Sequence, residues 1–265
     1  MAAWIENSVF AKLCTFENSI FISIVNFSGS IFFEFCYFSG ANFSGSSNFS
    51  NTTFKRAISF EKATFETTPP NFHEATLHSD TNWLDTNWPP PPTNRSDAAD
   101  HVRNYQRLKQ IMDNLKKHED ELRFFSREMR AQRTADGGWT SPRGLLNGLY
   151  SLTSNYGRKI ALPLAWMAFL IWAAFAALVW TQECPLDAQK LCADSASWHP
   201  LGIGKSLGLA ITSAISFLPL KKDIFGDIHA SLSTTAHVIM SVEAILCFAL
   251  LFLAGLGLRN RFRMK

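Results

Sequence analysis

The sequence predicts a mixed α and β protein: a short solenoid of stacked coils, an α-helical hairpin and an α-helical membrane domain. Three observations predict it. Phenylalanines recur at alternating steps of five and six residues from Phe16 to Phe65, apolar stripes at helical spacing run through residues 97–133, and two long apolar runs follow residue 158. At 265 residues and a net charge of +3, the chain is long enough for two or three small domains. A mean hydropathy near zero conceals a polar, repetitive first part and an apolar last part.

The solenoid rests on the stretch FSGANFSGSSNF at 38–49 and its continuation in both directions. Phe16, Phe21, Phe27, Phe32, Phe38, Phe43, Phe49, Phe54, Phe60 and Phe65 keep the alternating step, and Ile5 and Phe10 extend it backward. A helix needs apolar spacings of 3 and 4 and a lone strand spacings of 2, so neither explains an eleven-residue unit with two rings. Stacked coils do, because each side points one ring inward onto its equivalents above and below. With four sides per coil, residues 5–77 supply between three and four turns, a stub roughly 15–20 Å long at the spacing of hydrogen-bonded strands. After Leu77 the pattern stops, which sets a first domain at 1–80.

Units such as FSGANF and FSGSSNF resemble the phenylalanine-rich variant of the pentapeptide-repeat family over about residues 5–77. The resemblance implies a right-handed quadrilateral β-helix with the ten phenylalanines as its core. Some soluble members mimic DNA and bind topoisomerases. That mimicry needs an acidic surface, and residues 1–77 hold six acidic side chains against four basic ones. No nucleic-acid partner is expected.

Residues 81–96 read as a proline-rich linker, with four consecutive prolines at 89–92 favouring extended polyproline geometry. Trp83 and Trp88 are expected either to cover the open end of the solenoid or to present a partner-binding pair. Residues 97–157 read as an amphipathic helical connector. Ser96 or Asp97 caps a helix whose stripe is Val102, Tyr105, Leu108, Met112 and Leu115; after a break near His118 a second stripe follows, Leu122, Phe125 and Met129. The short turn between them predicts an antiparallel hairpin. The adjacent Glu119, Asp120 and Glu121 point in different directions along a helix, so they are read as a solvated acidic helix start. The same segment resembles one found in a group of bacterial pentapeptide-repeat membrane proteins, through Tyr105, Leu108, Lys109, Phe124, Phe125, Arg127, Glu128 and Met129, and through the YGR element at 156–158 and the closing FLAGLGLRNRFRMK.

Residues 158–265 read as the membrane domain. Twenty-three residues without a charge separate Lys159 from Glu183, enough to cross a hydrocarbon core of roughly 30 Å. This predicts a span at 160–180, and a second at 238–258 is followed at once by Arg259, Arg261, Arg263 and Lys265. Arg143, Arg158 and Lys159 precede the first span, so the positive-inside rule places both termini in the cytoplasm. An even number of crossings then makes residues 206–220, fifteen residues with three serines and a threonine, re-entrant or interfacial. MAAWIENSVF lacks the basic and apolar regions of a signal peptide, and the repeat is expected to stay cytoplasmic at a bacterial inner membrane.

Two spans around a short re-entrant stretch resemble a two-helix pore-loop channel subunit. Phe225, Gly226 and Asp227 echo the end of a potassium filter, but Asp223 and Ile224 stand where the filter needs other residues and Lys221 and Lys222 add cationic charge. Potassium selectivity is not expected. Glu243, six residues into an apolar span, is a candidate for a pore or a helix-packing contact. Cys184 and Cys192 share the expected outside loop and are placed for a disulfide, whereas Cys14 and Cys36 fall in the reduced cytoplasmic part. GIGKS at 202–206 lacks the first glycine and the preceding strand of a phosphate loop. The seven histidines show no metal-ligand spacing, so no catalytic residue, cofactor or metal site is expected. The functional expectation is a non-enzymatic, membrane-anchored scaffold with a bilayer, a cytoplasmic protein partner and a second copy as partners. The alternative is an oligomeric ion channel or transport subunit without a potassium-selective filter.

Overall fold

A computed structural model of the chain describes residues 3–180, 203–215 and 234–263. It contains two compact units, Met1–Ser151 and Leu152–Arg263.

The first unit opens with two-residue strands stacked in four parallel three-stranded sheets. One sheet holds β1 (Ala3–Trp4), β5 (Val25–Asn26) and β9 (Ser47–Asn48); the next β2 (Val9–Phe10), β6 (Ile31–Phe32) and β10 (Thr53–Phe54). The third holds β3 (Cys14–Thr15), β7 (Cys36–Tyr37) and β11 (Ile58–Ser59), and the fourth β4 (Ile20–Phe21), β8 (Asn42–Phe43) and β12 (Thr64–Phe65). Strand partners are one coil apart, as in Phe21↔Phe43↔Phe65, so two eleven-residue units close each coil. This is a β-helix-like stack with its core on the axis.

The rings explain the period. Phe16, Phe38 and Phe60 form one column with centroids 4.8 and 5.3 Å apart, and Phe10, Phe32 and Phe54 another at 4.5 and 4.7 Å. These separations match the strand spacing, so register in the ladder and offset stacking of the rings reinforce each other. Columns meet edge to face, as Phe38 does with Phe27 and Phe49 at 80° and 84°. Phe27, Phe32, Phe38, Phe43, Phe49, Phe54, Phe60 and Phe65 are buried, whereas Phe16 and Phe21, in the first coil, are half-buried.

A backbone rule invisible in the ring pattern sets the corners. Asn7, Asn18, Gly29, Gly40, Asn51, Lys62, Glu74 and Asp85 all have φ between 50° and 68°. One left-handed residue thus falls in each five-residue step. Glycine suits the corner at Gly29, where an added Cβ would lie 2.2 Å from Asn7 Oδ1 and the Asn7 side chain would have to move.

The repeat does not stop at Leu77. Isolated parallel bridges Asn48↔Asn71, Thr53↔Thr76, Ser59↔Asn82 and Thr64↔Asn87 build one more coil, displaced by 23 residues where earlier coils use 22. The extra residue falls between Phe65 and Phe72, in a stretch containing Pro69 and Pro70; beyond it Phe72, Leu77, Trp83 and Trp88 resume steps of five, six and five. Trp83 is buried and stacks on Phe60, while Trp88 lies over Phe65 with centroids 5.5 Å apart. The tryptophans read as linker or end-cover residues are therefore the inward rings of the last coil, disguised by one inserted residue and a change of ring.

The helices α1 (Arg95–Asn114) and α2 (His118–Ala135) complete this unit with a 3-10 turn at Gly138–Thr140, and α3 (Pro142–Ser154) runs from its end into the second unit. α1 begins after Asn94, so Ser96 and Asp97 lie inside it and do not cap it. Its buried face is Ala98, His101, Tyr105, Leu108, Ile111 and Met112, shifted slightly from the predicted stripe; on α2 it is Phe124, and not Phe125, that is buried. Lys109 Nζ meets Glu128 Oε2 at 2.6 Å across the two helices.

The second unit holds α4 (Ala161–Trp180), α5 (Ile203–Ala214) and α6 (Thr234–Arg263). α4 and α6 are long and apolar enough to cross a membrane. They run in opposite directions. Near the end of α6, a Cβ on Gly257 would lie 3.1 Å from Ile160, just before α4, while at the other end Leu178 joins Ala236 and Met240 in one cluster. Leu209 and Ala210 of α5 complete that cluster. At twelve residues, α5 is about 18 Å long, shorter than a hydrocarbon core of roughly 30 Å; residues 216–220 of the stretch read as re-entrant or interfacial lie outside the described residues.

Candidate interaction surface and buried groups

A stack of coils ends in orphaned carbonyls and an open apolar cross-section, and α1 and α2 supply what that end requires. His101 Nε2 lies 3.1 Å from the Thr67 carbonyl, and Asn104 Nδ2 donates to the Pro69 carbonyl at 2.8 Å. Arg107 donates through Nε to the Phe72 carbonyl and through Nη2 to that of Ala75, and Lys117 Nζ donates to the Thr81 carbonyl at 2.8 Å. Tyr105, Leu108, Met112 and Phe124 then join the phenylalanine core, with Phe124 edge-on to Trp88 at 4.9 Å. Arg127 lies over the Trp88 ring, and burial pushes the neighbouring Tyr105 hydroxyl up to about 12. Most of the residues that carry the resemblance of this segment thus make the cap or join α1 to α2.

The same contacts leave a groove of about 750 Å³ between β9 with the coil that follows it and one side of α1. Its lining is polar: Asn48, Asn51 and Asn71 from the coils, Arg103, Asn104 and Arg107 from α1. An amide ladder forms the coil side, Asn71 donating to Asn48 at 3.2 Å and Asn48 to Asn26 at 3.0 Å. Arg103 pairs with Asp100, and Arg107 is held by the carbonyls it caps. The groove is therefore walled by amides and by Arg107, which the protein's own hydrogen bonds hold, with Arg103 exposed at its edge.

Two clusters escaped sequence reasoning. Asp113, His118 and Glu121 bring one imidazole and two carboxylates within 4.8 Å of one another at the junction of α1 and α2, a donor set of a kind that divalent transition metals accept. His118 Nδ1 and Glu121 Oε2 already bond to each other at 3.0 Å, so the acidic helix start is only partly solvated. The i, i+3 spacing of His118 and Glu121 was visible in the sequence, but Asp113 joins only through the turn. Cys14 and Cys36 are Cα partners in adjacent strands. The neighbouring Cys36 thiol draws the Cys14 thiol down, while burial pushes Cys36 up. Their separation of one coil was the signal that sequence reading could have used.

In the second unit Glu243 is 4% exposed, one turn beyond Met240 on α6. It is a buried carboxylate in an apolar helix. Gly204, Lys205 and Ser206 lie within the first turn of α5 and form no phosphate-cradling loop. Cys184, Cys192, Phe225, Gly226 and Asp227 lie outside the described residues.

No curated protein and no solved structure matches the chain. The family model for pentapeptide repeats matches residues 5–53 and 38–87, with nine copies, and the second match ends at the last bridged residue of the ladder. Residues 5–87 of this chain are pentapeptide repeats, followed by helices of which two are long and apolar enough to cross a membrane.

Proposed function

We propose that the protein is a membrane-anchored scaffold of bacterial inner-membrane type, in which a right-handed quadrilateral β-helix and its capping helical hairpin present a cytoplasmic surface to a protein partner. The observation that carries this reading is the joining, in one chain, of a rigid polar-walled solenoid to two helices with the length and apolarity of membrane spans. The opposed directions of α4 and α6 bring Arg158 and Lys159 to the same end as Arg259 and Arg261. Positive charge at one shared end favours both termini in the cytoplasm. The polar groove beside α1 is the favoured surface for the partner.

A second reading is favoured by Glu243, whose burial in an apolar helix beside the short α5 suits an oligomeric ion channel or transport subunit of pore-loop type. Single-channel current across planar bilayers containing the full-length protein separates the two. The scaffold reading expects silence with reconstitution verified. Discrete conductance that disappears both in Glu243→Gln and in a variant lacking residues 206–220 overturns it in favour of the pore.

A further inference from the structure

The helix α3 is built with its apolar face outward. Leu145, Leu146, Leu149 and Leu152 form one stripe and are 45%, 69%, 44% and 52% exposed. The opposite side is packed, Asn147 Nδ2 donating to the Met129 carbonyl at 2.8 Å, and on the flank of the stripe Gly148 lies so close under the Trp139 ring that a Cβ would come within 2.3 Å of it. A water-facing helix would bury the leucines and expose the amide. This one does the reverse.

Its surroundings identify what the exposed stripe faces. The chain reverses sharply after Ser154, with Asn155, Tyr156 and Gly157 all left-handed, and Lys159 N–H returns to the Ser154 carbonyl at 3.3 Å. Six residues separate α3 from α4, and Trp166, in the second turn of α4, donates its indole N–H to the Leu152 carbonyl at 3.2 Å. The end of the leucine stripe is thereby tied to the opening turns of an apolar helix of membrane-spanning length. Trp139, half exposed with the Arg133 guanidinium 5.0 Å from its ring, precedes the stripe, and Arg143, Arg158 and Lys159 are exposed around it. Leucines on one face, an exposed tryptophan and flanking cations are the composition of a helix lying in a membrane interface, where anionic headgroups complement the charge.

We infer that α3 is an interfacial helix whose leucine stripe lies at the headgroup–acyl boundary of the anionic leaflet that receives the start of α4. The inference rests on the reading of α4 as a membrane span. A protein partner or a second copy could also cover leucines, but neither accounts for the indole bond that ties Leu152 to α4 or for the cations at both ends of the stripe.

Spin labels on the single variants Leu146→Cys, Leu149→Cys, Phe169→Cys and Asp85→Cys, in a chain whose five native cysteines are replaced by serine, test this in vesicles containing phosphatidylglycerol. Labels at 146 and 149 are expected to collide preferentially with oxygen, like the label at Phe169 in α4, while Asp85 on the solenoid favours a water-soluble nickel chelate. Nickel accessibility at 146 and 149, or shielding from both agents, overturns the inference while 169 remains in lipid. Nickel accessibility at 169 overturns the span itself and the inference with it. The unaltered chain supplies an independent check. A phospholipid carrying a diazirine near its headgroup should label the peptide spanning 142–154, and labelling of α4 without that peptide counts against an interfacial α3.

Discussion

Trp83 stacks on Phe60 with ring centroids 4.6 Å apart and planes 6° from parallel, and meets Phe124 of α2 edge-on at 6.0 Å. One indole therefore ends the phenylalanine column and begins the cap. The solenoid and α2 share this ring, so the last coil and the helix should stand or fall together.

Truncating that ring tests the coupling. Trp83→Ala should destabilise the first unit by about 3–5 kcal/mol, in the range of large core truncations, whereas Trp83→Phe keeps the stack and should cost clearly less. Thermal unfolding of the full chain in detergent, followed by hydrogen exchange of α1 and α2, measures both. Exchange in α2 that is unchanged in Trp83→Ala would show that the ring caps nothing.

Gly29 occupies a left-handed corner against Asn7. Gly29→Ala combines the cost of that backbone region, about 1–2 kcal/mol, with a clash onto a side chain of the first coil. A lower melting temperature is expected, and relief is expected when Asn7→Gly removes the opposing amide. Additive losses in the double variant would contradict the contact.

His101 gives the cap a pH dependence. The ring is buried, its Nε2 faces the Thr67 carbonyl, and Nδ1 has no hydrogen-bond partner among the described residues. Burial holds the imidazole below its ordinary value, against the pull of Asp97 and Asp100. Below about pH 6.5 the unfolded chain binds the proton and the folded one resists it. The stability contributed by the neutral ring is thus complete above that pH and is lost as pH falls through the lower folded value. Melting temperatures from pH 7.5 to 5 should fall more steeply for the native chain than for His101→Gln; equal slopes would place the pH dependence elsewhere.

The Cys14 and Cys36 register is open to chemical proof. Directly paired strands set their Cα atoms about 4.8 Å apart, inside the 4.4–6.8 Å range of disulfides. Mild oxidation with diamide should join them within one chain, and peptide mapping should find the link. The half-buried Cys14, its thiol drawn down by Cys36, is the expected attacking sulfur. A chain that stays fully reduced while Cys14→Ser and the native protein alkylate alike would argue for another register.

The sequence by itself determined the features that rest on local periodicity. The alternating five- and six-residue step of the phenylalanines demands stacked coils, the charge-free run after Lys159 makes a helix of membrane-crossing length, and stripes at helical spacing make α1 and α2 amphipathic. Only the tertiary structure decided where the repeat ends, which face of α2 turns inward, and what the polar residues of α1 satisfy. Residue type at Trp83 and Trp88 does not reveal their place in the columns, because one inserted residue breaks the count while the ladder absorbs it. The bonds from Asn104, Arg107 and Lys117 to the last coil, and the outward leucines of α3, were equally illegible. A period states that a face is apolar; what meets that face, and which carbonyls lack a partner, depends on contacts between segments distant along the chain.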